Sequence, residues 1–283
     1  MRWSGSGRSQ NLEDRRGGGG GRLPGGMGGL GIGGIVIVLI ISLVTKQNPL
    51  ALLGALDGAG GTAPGVEAPI TDPAEEEKVI FVSMVLDSSQ ALWARLLPQL
   101  GGSYREATLV LFRDQTTSAC GAAQSATGPF YCPGDEKVYI DLGFYNELAS
   151  RFGAPGDFAE AYVLAHEVGH HVQHVLGTDE AMRRAQQQRP DQANELSVRL
   201  ELQADCYAGV WAHAAAKQGG LSAGDLEEGL QAAASVGDDR IQRMGGGSVN
   251  QESWTHGSSE QRMTWFKRGF DGGDPRMCDT FGR

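Results

Sequence analysis

The sequence has no excess of positive charge and no closely spaced pair of cysteines. Its 283 residues hold 24 Lys and Arg against 34 Asp and Glu, a formal net charge of -10. Because nucleic-acid binding rests on neutralising phosphates with basic side chains, this balance argues against a nucleic-acid partner. No Cys-x-x-Cys spacing occurs, which argues against a zinc site built from thiolates. No internal repeat is found, so a repeat architecture is not indicated.

Histidine is also scarce, with 6 in the chain, yet it carries the main signal. Residues 165–173 read AHEVGHHVQ and contain the pattern His166-Glu167-x-x-His170. On a helix, positions i and i+4 lie on one face, so both imidazoles can reach one ion. Glu167 stands beside them and can take a proton from an activated water. This is the pattern of a zinc site built on one helix.

The residues around this motif predict the helix that it needs. Pro155-Gly156-Asp157 is a start signal, with Asp157 as the N-cap and Glu160 at the capping-box position. An apolar stripe at helical spacing runs over 158–176, and Gly177 ends the helix. The motif therefore lies inside a helix of about five turns.

A catalytic zinc site needs a third protein ligand and an open position for water. Residues 192–217 are rich in Ala, Leu, Glu and Gln and predict a long helix. Within it, Glu201 and Asp205 are again an i, i+4 pair. We predict Glu201 as the third ligand and Asp205 as a partner that orients a ligating histidine. Glu195 is the rival ligand, although it can pair with Arg199 one turn later.

The two motifs together resemble those of the gluzincin metallopeptidases, whose third zinc ligand is a glutamate on a later helix. The strings LAHEVGHHVQ at 164–173 and LELQADCYAG at 200–209 resemble the bacterial "putative neutral zinc metallopeptidase" family, the YpfJ-like proteins. ACGAA at 119–123 with GPFYCP at 128–133 is similar to the same family. The resemblance spans most of the chain. It implies a zincin-like fold and a peptidase reaction with Zn²⁺ as cofactor, and it names no substrate.

The resemblance also draws attention to His256. Related gluzincins carry His-Pro near the zinc, with an arginine six positions after the histidine, whereas here Gly257 stands in place of the proline and Arg262 follows. The match implies that His256 stabilises the oxyanion or caps the open metal position, and that Arg262 pairs with an acidic site residue. The alternative is a loop histidine and a solvated arginine. The remaining histidines are predicted to be structural: His171, His174 and His213.

The start of the chain predicts a membrane anchor. Residues 1–26 are rich in Gly, Ser and Arg and predict a disordered cytoplasmic tail. Residues 27–45 carry no charge and are long enough to span a bilayer as one transmembrane helix. Arginines before it and few positive charges after it predict a single pass in the inner membrane, with the N-terminus cytoplasmic and the catalytic domain outside. A cleaved signal peptide is the alternative. Residues 46–77 predict a linker.

Residues 78–283 predict the metallopeptidase domain, an α+β fold that is mainly helical with a small sheet. Beyond the two metal-site helices, the patterns predict helices over 79–100, 142–152, 222–235 and 258–270, and strands over 108–113, 130–132 and 137–141. The last two strands flank a turn and predict a hairpin. We predict that the strand over 138–141 pairs with an extended substrate.

The four cysteines make an even set in a domain placed outside the cytoplasm, where disulfides persist. Four cysteines allow three pairings. The pairing of Cys120 with Cys132 is favoured because it closes a short loop at the predicted hairpin, which leaves Cys206 with Cys278. Cys206 lies about 100° around its helix from Asp205 and should face away from the zinc.

These features predict a membrane-anchored zinc metallopeptidase that cleaves a peptide or protein substrate, with Glu167 as general base. The alternative is a zinc-stabilised binding or chaperone-like module that cleaves nothing, although such a module has no need of Glu167. Hydrolysis of an amide in the cell wall would use the same chemistry.

Overall fold

The computed structural model describes residues 1–2, 7–17, 72–125, 128–246 and 249–282, and the fold of these residues is α+β and mainly helical. The helices are α1 (Pro73–Leu96), α2 (Gly143–Ser150), α3 (Asp157–Val175), α4 (Thr178–Gln188), α5 (Ala193–Lys217), α6 (Asp225–Ser235), α7 (Asp238–Met244) and α8 (Ser259–Gly272). The strands are β1 (Leu12–Asp14), β2 (Thr108–Phe112), β3 (Gln115–Ser118), β4 (Gly121–Gln124), β5 (Phe130–Cys132) and β6 (Lys137–Asp141).

Four strands form one sheet in the order β1-β2-β6-β5. The pairs β1–β2 and β2–β6 are parallel, and β5–β6 is the predicted antiparallel hairpin. The strand β2 pairs with β6 over its whole length, and β5 pairs with residues 137–139 on the other side. The prediction that residues 138–141 pair with the substrate is therefore wrong for residues 138 and 139. The neighbour that the sequence did not reveal is β2, which is parallel to β6 and lies about 30 residues earlier in the chain.

The two faces of the sheet are covered unequally. Successive side chains of a strand point to opposite faces, so β2 contributes residues to both. Leu109 and Leu111 of β2 join the main core with α1, α3 and α5. Val110 and Phe112 point to the other face and form a small cluster with Tyr139 of β6. The long helices therefore lie on one side of the sheet, and α3, which carries the His-Glu-x-x-His motif, is in that layer.

The helix α1 begins earlier than the sequence predicted. The Asp72 side chain accepts a hydrogen bond from the Ala74 amide at 3.0 Å, and Pro73 takes the first helical position. Glu75 and Glu76 then lie in the first turn, where negative charge favours the helix dipole. The predicted linker, residues 46–77, therefore overlaps the first five residues of α1.

Both predicted disulfides are present, Cys120–Cys132 and Cys206–Cys278, with Cα–Cα distances of 5.8 and 5.6 Å. The first joins the turn between β3 and β4 to the edge strand β5. The second joins the middle of α5 to a short 3-10 turn, Pro275–Cys278. Each bridge therefore fixes a peripheral segment to an element that flanks the motif helix.

Residues 7–17 were predicted to belong to a disordered tail, but Leu12–Asp14 among them form the edge strand β1 of the sheet. Leu12–Asp14 pair with residues 109–111 of β2, and the Asn11 carbonyl accepts from the Leu109 amide at 2.8 Å. The Arg16 side chain is buried and lies 2.7 Å from an Asp14 carboxylate oxygen. A strand of three residues is too short to show an alternating pattern in the sequence. Arginines that suggested a solvated tail form ion pairs in the structure.

This strand conflicts with the predicted topology. Paired strands lie about 4.8 Å apart, whereas the hydrocarbon core of a bilayer is about 30 Å thick. A single pass between residues 17 and 72 would put β1 and β2 on opposite sides, so the combination of a cytoplasmic N-terminus with an outside domain is wrong for the folded chain. The predicted transmembrane helix, residues 27–45, lies outside the described residues.

Among the described residues, one helix is long and apolar enough to cross a membrane, the stretch Pro73–Leu100 that includes α1. More than half of its most apolar part is buried within the domain. Residues such as Val79, Leu86 and Trp93 are fully covered by α3, α5 and the sheet. Its apolar character is therefore accounted for by the core.

We expect the tail and the domain to lie in one compartment. Gln10 and Glu260 are both exposed, and all four cysteines are bonded, so Gln10→Cys and Glu260→Cys each add one reactive thiol. In intact cells, a membrane-impermeant maleimide should label both variants or neither. Labelling of only one of the two would contradict the strand pairing.

Candidate metal centre

The two helices that carry the predicted motifs cross where neither has a bulky side chain. A Cβ atom at Gly169 of α3 would lie 3.0 Å from the Ala204 carbonyl oxygen and 3.2 Å from its Cα. Contacts this short would make the neighbouring backbone give way by a few tenths of an ångström, so the glycine lets the two backbones approach closely. The crossing brings Glu201 of α5 towards the histidine face of α3.

Three donor groups converge at this crossing. His166 Nε2 and His170 Nε2 are 3.1 Å apart, and they lie 3.2 and 3.4 Å from the two carboxylate oxygens of Glu201. Two donors bound at zinc distances in a tetrahedron stand about 3.3 Å apart, so these separations match one shared ion. Two imidazoles and a carboxylate are also the ligand types of catalytic zinc sites. The residues present therefore fit a zinc ion.

The electrostatics of the cluster point the same way. Burial lowers the pKa of His166, but the Asp205 and Glu201 carboxylates outweigh it and raise the pKa to about 10. Burial would raise the pKa of Glu201, yet His170 and His166 hold it well below its usual range. The carboxylates around the two imidazoles thus favour a positive charge at this point, which a metal cation can supply in place of protons.

Glu167 is next to the donor cluster and is only 7% exposed. Burial raises the pKa of its carboxyl group above the usual value, and the neighbouring His170 and His166 oppose that rise. A carboxyl group whose pKa is raised is a stronger base than an exposed glutamate, which helps it to accept a proton. The position and environment of Glu167 therefore suit a general base.

Asp205 is fully buried one turn after Glu201 and contacts His166 from behind. Its Oδ1 lies 2.8 Å from His166 Nδ1 and accepts from the Tyr162 hydroxyl at 2.5 Å. Arg262 donates to Asp205 through Nε at 2.8 Å and Nη2 at 2.9 Å. Burial would raise the pKa of Asp205, but Arg262 and His166 outweigh it and lower the pKa. The ionised Asp205 thus fixes the proton of His166 on Nδ1 and leaves Nε2 for a metal.

His256 is held by an aspartate on α7. Asp238 Oδ1 lies 3.1 Å from His256 Nδ1, and Asp238 Oδ2 accepts the backbone amides of Thr255, His256 and Gly257 at 2.8, 2.6 and 2.9 Å. One carboxylate therefore fixes both the loop and the ring. The side chain of His256 remains 41% exposed, so its other nitrogen is accessible.

The same loop packs on α5 beside the metal ligand. A Cβ atom at Gly257 would lie 3.1 Å from Val198 and 3.4 Å from Leu202, the residues on either side of Glu201 on the helix. Gly257 has φ of +90°, a value that proline cannot adopt. A proline would therefore not fit at position 257, and the packing of this loop on α5 brings His256 close to Glu201.

The other candidates lie apart from the donors. Glu195 is 60% exposed and pairs with Arg199 at 2.7 Å, so the rival ligand is on the surface. His171 Nε2 donates to the Arg105 carbonyl at 2.6 Å, and His213 Nδ1 donates to the Phe270 carbonyl at 2.6 Å. His174 Nδ1 lies 2.9 Å from an Asp179 carboxylate oxygen. These histidines connect elements of the fold, as the sequence predicted.

Sequence reasoning missed four residues around the centre: Tyr162, Gln173, Gln203 and Asp238. Tyr162 precedes His166 by one helical turn, and Gln173 follows His170 by one, so both lay on the motif face and could have been found. Gln203 and Asp238 gave no local signal, because their partners are at least 17 residues distant in the chain.

A family model described as "Putative neutral zinc metallopeptidase" matches residues 1–281. The uncharacterized protein YpfJ of Escherichia coli (strain K12) is 47% identical over 292 residues, covering 100% of this chain and 99% of the relative. The uncharacterized protein Rv2575 of Mycobacterium tuberculosis (strain ATCC 25618 / H37Rv) is 48% identical over 206 residues, covering 69% of this chain and 68% of the relative. No solved structure matches this chain.

Proposed function

The chain belongs to the putative neutral zinc metallopeptidase family, and we propose that it is a zinc-dependent endopeptidase whose metal is held by His166, His170 and Glu201. The observation that carries the proposal is the convergence of three donor atoms, all within 4.8 Å of one another, from two helices that cross at a glycine. Glu167, a buried carboxylate beside these donors, supports a hydrolytic role over a purely structural one.

Zinc bound to these donors would lower the pKa of a water towards neutrality and polarise the substrate carbonyl. Glu167 accepts the proton from the attacking water and later delivers it to the leaving amine nitrogen. Asp205 keeps His166 in the tautomer whose Nε2 is unprotonated, and Arg262 with Tyr162 keeps Asp205 ionised and fixed. Each of these groups is buried, so water competes little with its hydrogen bonds.

The position of His256 near Glu201 and its contact with Asp238 suit a residue that stabilises an oxyanion. Burial lowers the pKa of His256, but the hydrogen bond to Asp238 and the Glu201 carboxylate outweigh it and raise the pKa. The protonated ring, whose Nδ1 faces Asp238, can donate its Nε2–H to a reacting carbonyl oxygen. We expect His256→Ala to lower kcat by roughly a hundredfold with little change in KM, because such a bond strengthens only in the transition state. Steady-state kinetics with a quenched peptide would measure this, and an unchanged kcat would return His256 to a structural role.

An extended peptide would pair with β5, the edge of the four-stranded sheet beside the motif helix. The proximity of β5 to α3 supports this, since the Tyr131 hydroxyl lies 2.9 Å from His171 Nδ1. Backbone pairing of this kind binds many sequences, with side-chain pockets adding preference. The class of substrate is thus a peptide or protein chain that can be extended across the centre.

The two disulfides support an extracytoplasmic location for the domain, since such bridges persist in oxidising compartments. Residues 12–14 would then share that compartment, because they form β1 of the same sheet.

The proposal is tested by cleavage of a mixed set of quenched peptides by the full chain. We expect activity that a zinc chelator abolishes and that one equivalent of Zn²⁺ restores. Activity that persists after the metal has been removed would contradict a zinc-dependent peptidase, as would a fully zinc-loaded chain that cleaves none of the peptides.

A further inference from the structure

The two histidines of the candidate centre are supported in different ways. His166 Nδ1 faces the charged carboxylate of Asp205, whereas His170 Nδ1 lies 2.8 Å from the neutral amide oxygen of Gln173. Gln173 is fully buried and follows His170 by three residues on α3. The contact with His170 depends on the orientation of the Gln173 amide. Hydrogen bonds from the amide nitrogen fix that orientation.

Both hydrogens of the Gln173 amide have acceptors. Its Nε2 donates to the Leu200 carbonyl at 2.7 Å and to Gln203 Oε1 at 3.1 Å. If the amide flipped, its oxygen would face two acceptors and neither bond could form. Gln173 must therefore present its oxygen to His170, which places the imidazole proton on Nδ1 and leaves Nε2 as the metal donor.

Gln203 is fixed in turn by the C-terminal segment. Its Nε2 donates to the Cys278 carbonyl at 3.0 Å, and Gln203 is buried between α3 and that segment. Cys278 is bonded to Cys206, which follows Gln203 by three residues on α5. The disulfide therefore holds the carbonyl over the helix face from which Gln203 projects.

We infer that Gln173, Gln203 and the Cys206–Cys278 bridge form a glutamine relay that positions His170 for metal binding. The bridge then contributes to zinc affinity although its sulfurs do not face the donors. The inference rests on the proposed zinc centre and adds positioning residues to it. Partners that hold a metal-ligating histidine typically change metal affinity by about 10–100-fold when they are lost.

The test is the zinc dissociation constant of the full chain, measured by competition with a chromogenic chelator. We expect Gln173→Met, which keeps side-chain length but removes the acceptor, to weaken zinc binding by about tenfold or more. Gln203→Met and the double variant Cys206→Ala/Cys278→Ala should weaken it by smaller factors, because they act through Gln173.

Matched controls separate positioning from general destabilisation. Gln90 is also buried, and its Oε1 accepts from the Ala107 amide at 2.7 Å, so Gln90→Met removes a buried glutamine outside the relay. The double variant Cys120→Ala/Cys132→Ala removes the other bridge. We expect both controls to lower the melting temperature of the metal-free chain but to keep the parent's zinc affinity.

A second readout is the absorption spectrum of the Co²⁺-loaded chain, which reports the ligand geometry directly. The three relay variants should shift its visible bands, and the two controls should leave them unchanged. Relay variants that bind zinc within about twofold of the parent, with an unshifted cobalt spectrum, would overturn the inference.

Zinc binding and peptide cleavage, measured together, separate the failure of the relay from the failure of the proposed peptidase activity. A parent chain that binds zinc, with weakened relay variants but no peptide cleavage, would support the relay and contradict the proposed function. A parent that binds no zinc would overturn both.

Discussion

Replacing Glu167 with glutamine should lower peptide turnover by at least about a hundredfold, the typical loss when a general base is removed. Glutamine has the same size and remains polar, but it cannot accept a proton at neutral pH. The three donors His166, His170 and Glu201 are untouched, so zinc content should stay at one ion per chain. Thermal stability should not fall either, because the substitution replaces a buried carboxyl group whose pKa burial already raises.

The same variant separates the two functions that the sequence left open. If the chain were a zinc-stabilised binding module, Glu167→Gln would capture its partner as the parent does, and any cellular phenotype would survive. If it is a peptidase, the variant should hold uncleaved substrate, which mass spectrometry of the captured material can identify. Turnover within about threefold of the parent, at equal zinc content, would remove Glu167 from the mechanism.

Replacing Arg262 with methionine should destabilise the metal-free chain by about 3–5 kcal/mol, the cost of leaving a buried charge without its partner. Arg262 is 3% exposed and Asp205 is fully buried, and two of the aspartate's hydrogen bonds come from this guanidinium. Zinc binding should weaken too, since Asp205 would no longer be fixed behind His166. Urea unfolding monitored by circular dichroism measures the first effect.

The matched control for this prediction is Arg184→Met. Arg184 pairs with Glu180 on the surface of α4, where both side chains are about 60% exposed. Exposed helical pairs of this kind contribute about 0.3–0.5 kcal/mol, so the control should barely change the unfolding midpoint. A loss for Arg262→Met no larger than that of the control would show that the buried ion pair is not needed for the fold.

The helix α3 was predictable because its signals are local. Its apolar stripe and the i, i+4 pair lie within 20 residues, and the observed helix ends within one residue of the predicted one. The predicted cap is wrong, because Gly156 is the N-cap and the Asp157 carboxylate accepts from the Met1 amino group instead. Glu201 and Asp205 could be identified for the same reason, as a second i, i+4 pair on a helix. What the local pattern could not supply was the angle and closeness of the two helices, which depend on the contact between Gly169 and Ala204.

The elements that were missed owe their structure to distant partners. β1 has three residues and exists because β2 offers an unpaired edge about 95 residues later. Asp238 is one of several acidic residues in its region, and only the fold brings it to the amides around His256. The relay through Gln173 and Gln203 likewise requires α3, α5 and the C-terminal segment to be packed together.

The most direct test of the central claim is the X-ray absorption spectrum at the zinc edge of the full chain loaded with one equivalent of zinc. We predict a first shell of nitrogen and oxygen at about 2.0–2.1 Å, with the outer-shell scattering of two imidazoles and no sulfur at about 2.3 Å. The imidazole signal should be halved in His170→Ala and should persist in Glu195→Ala. A sulfur shell, or a spectrum of the parent without imidazole scattering, would contradict a zinc ion held by His166, His170 and Glu201.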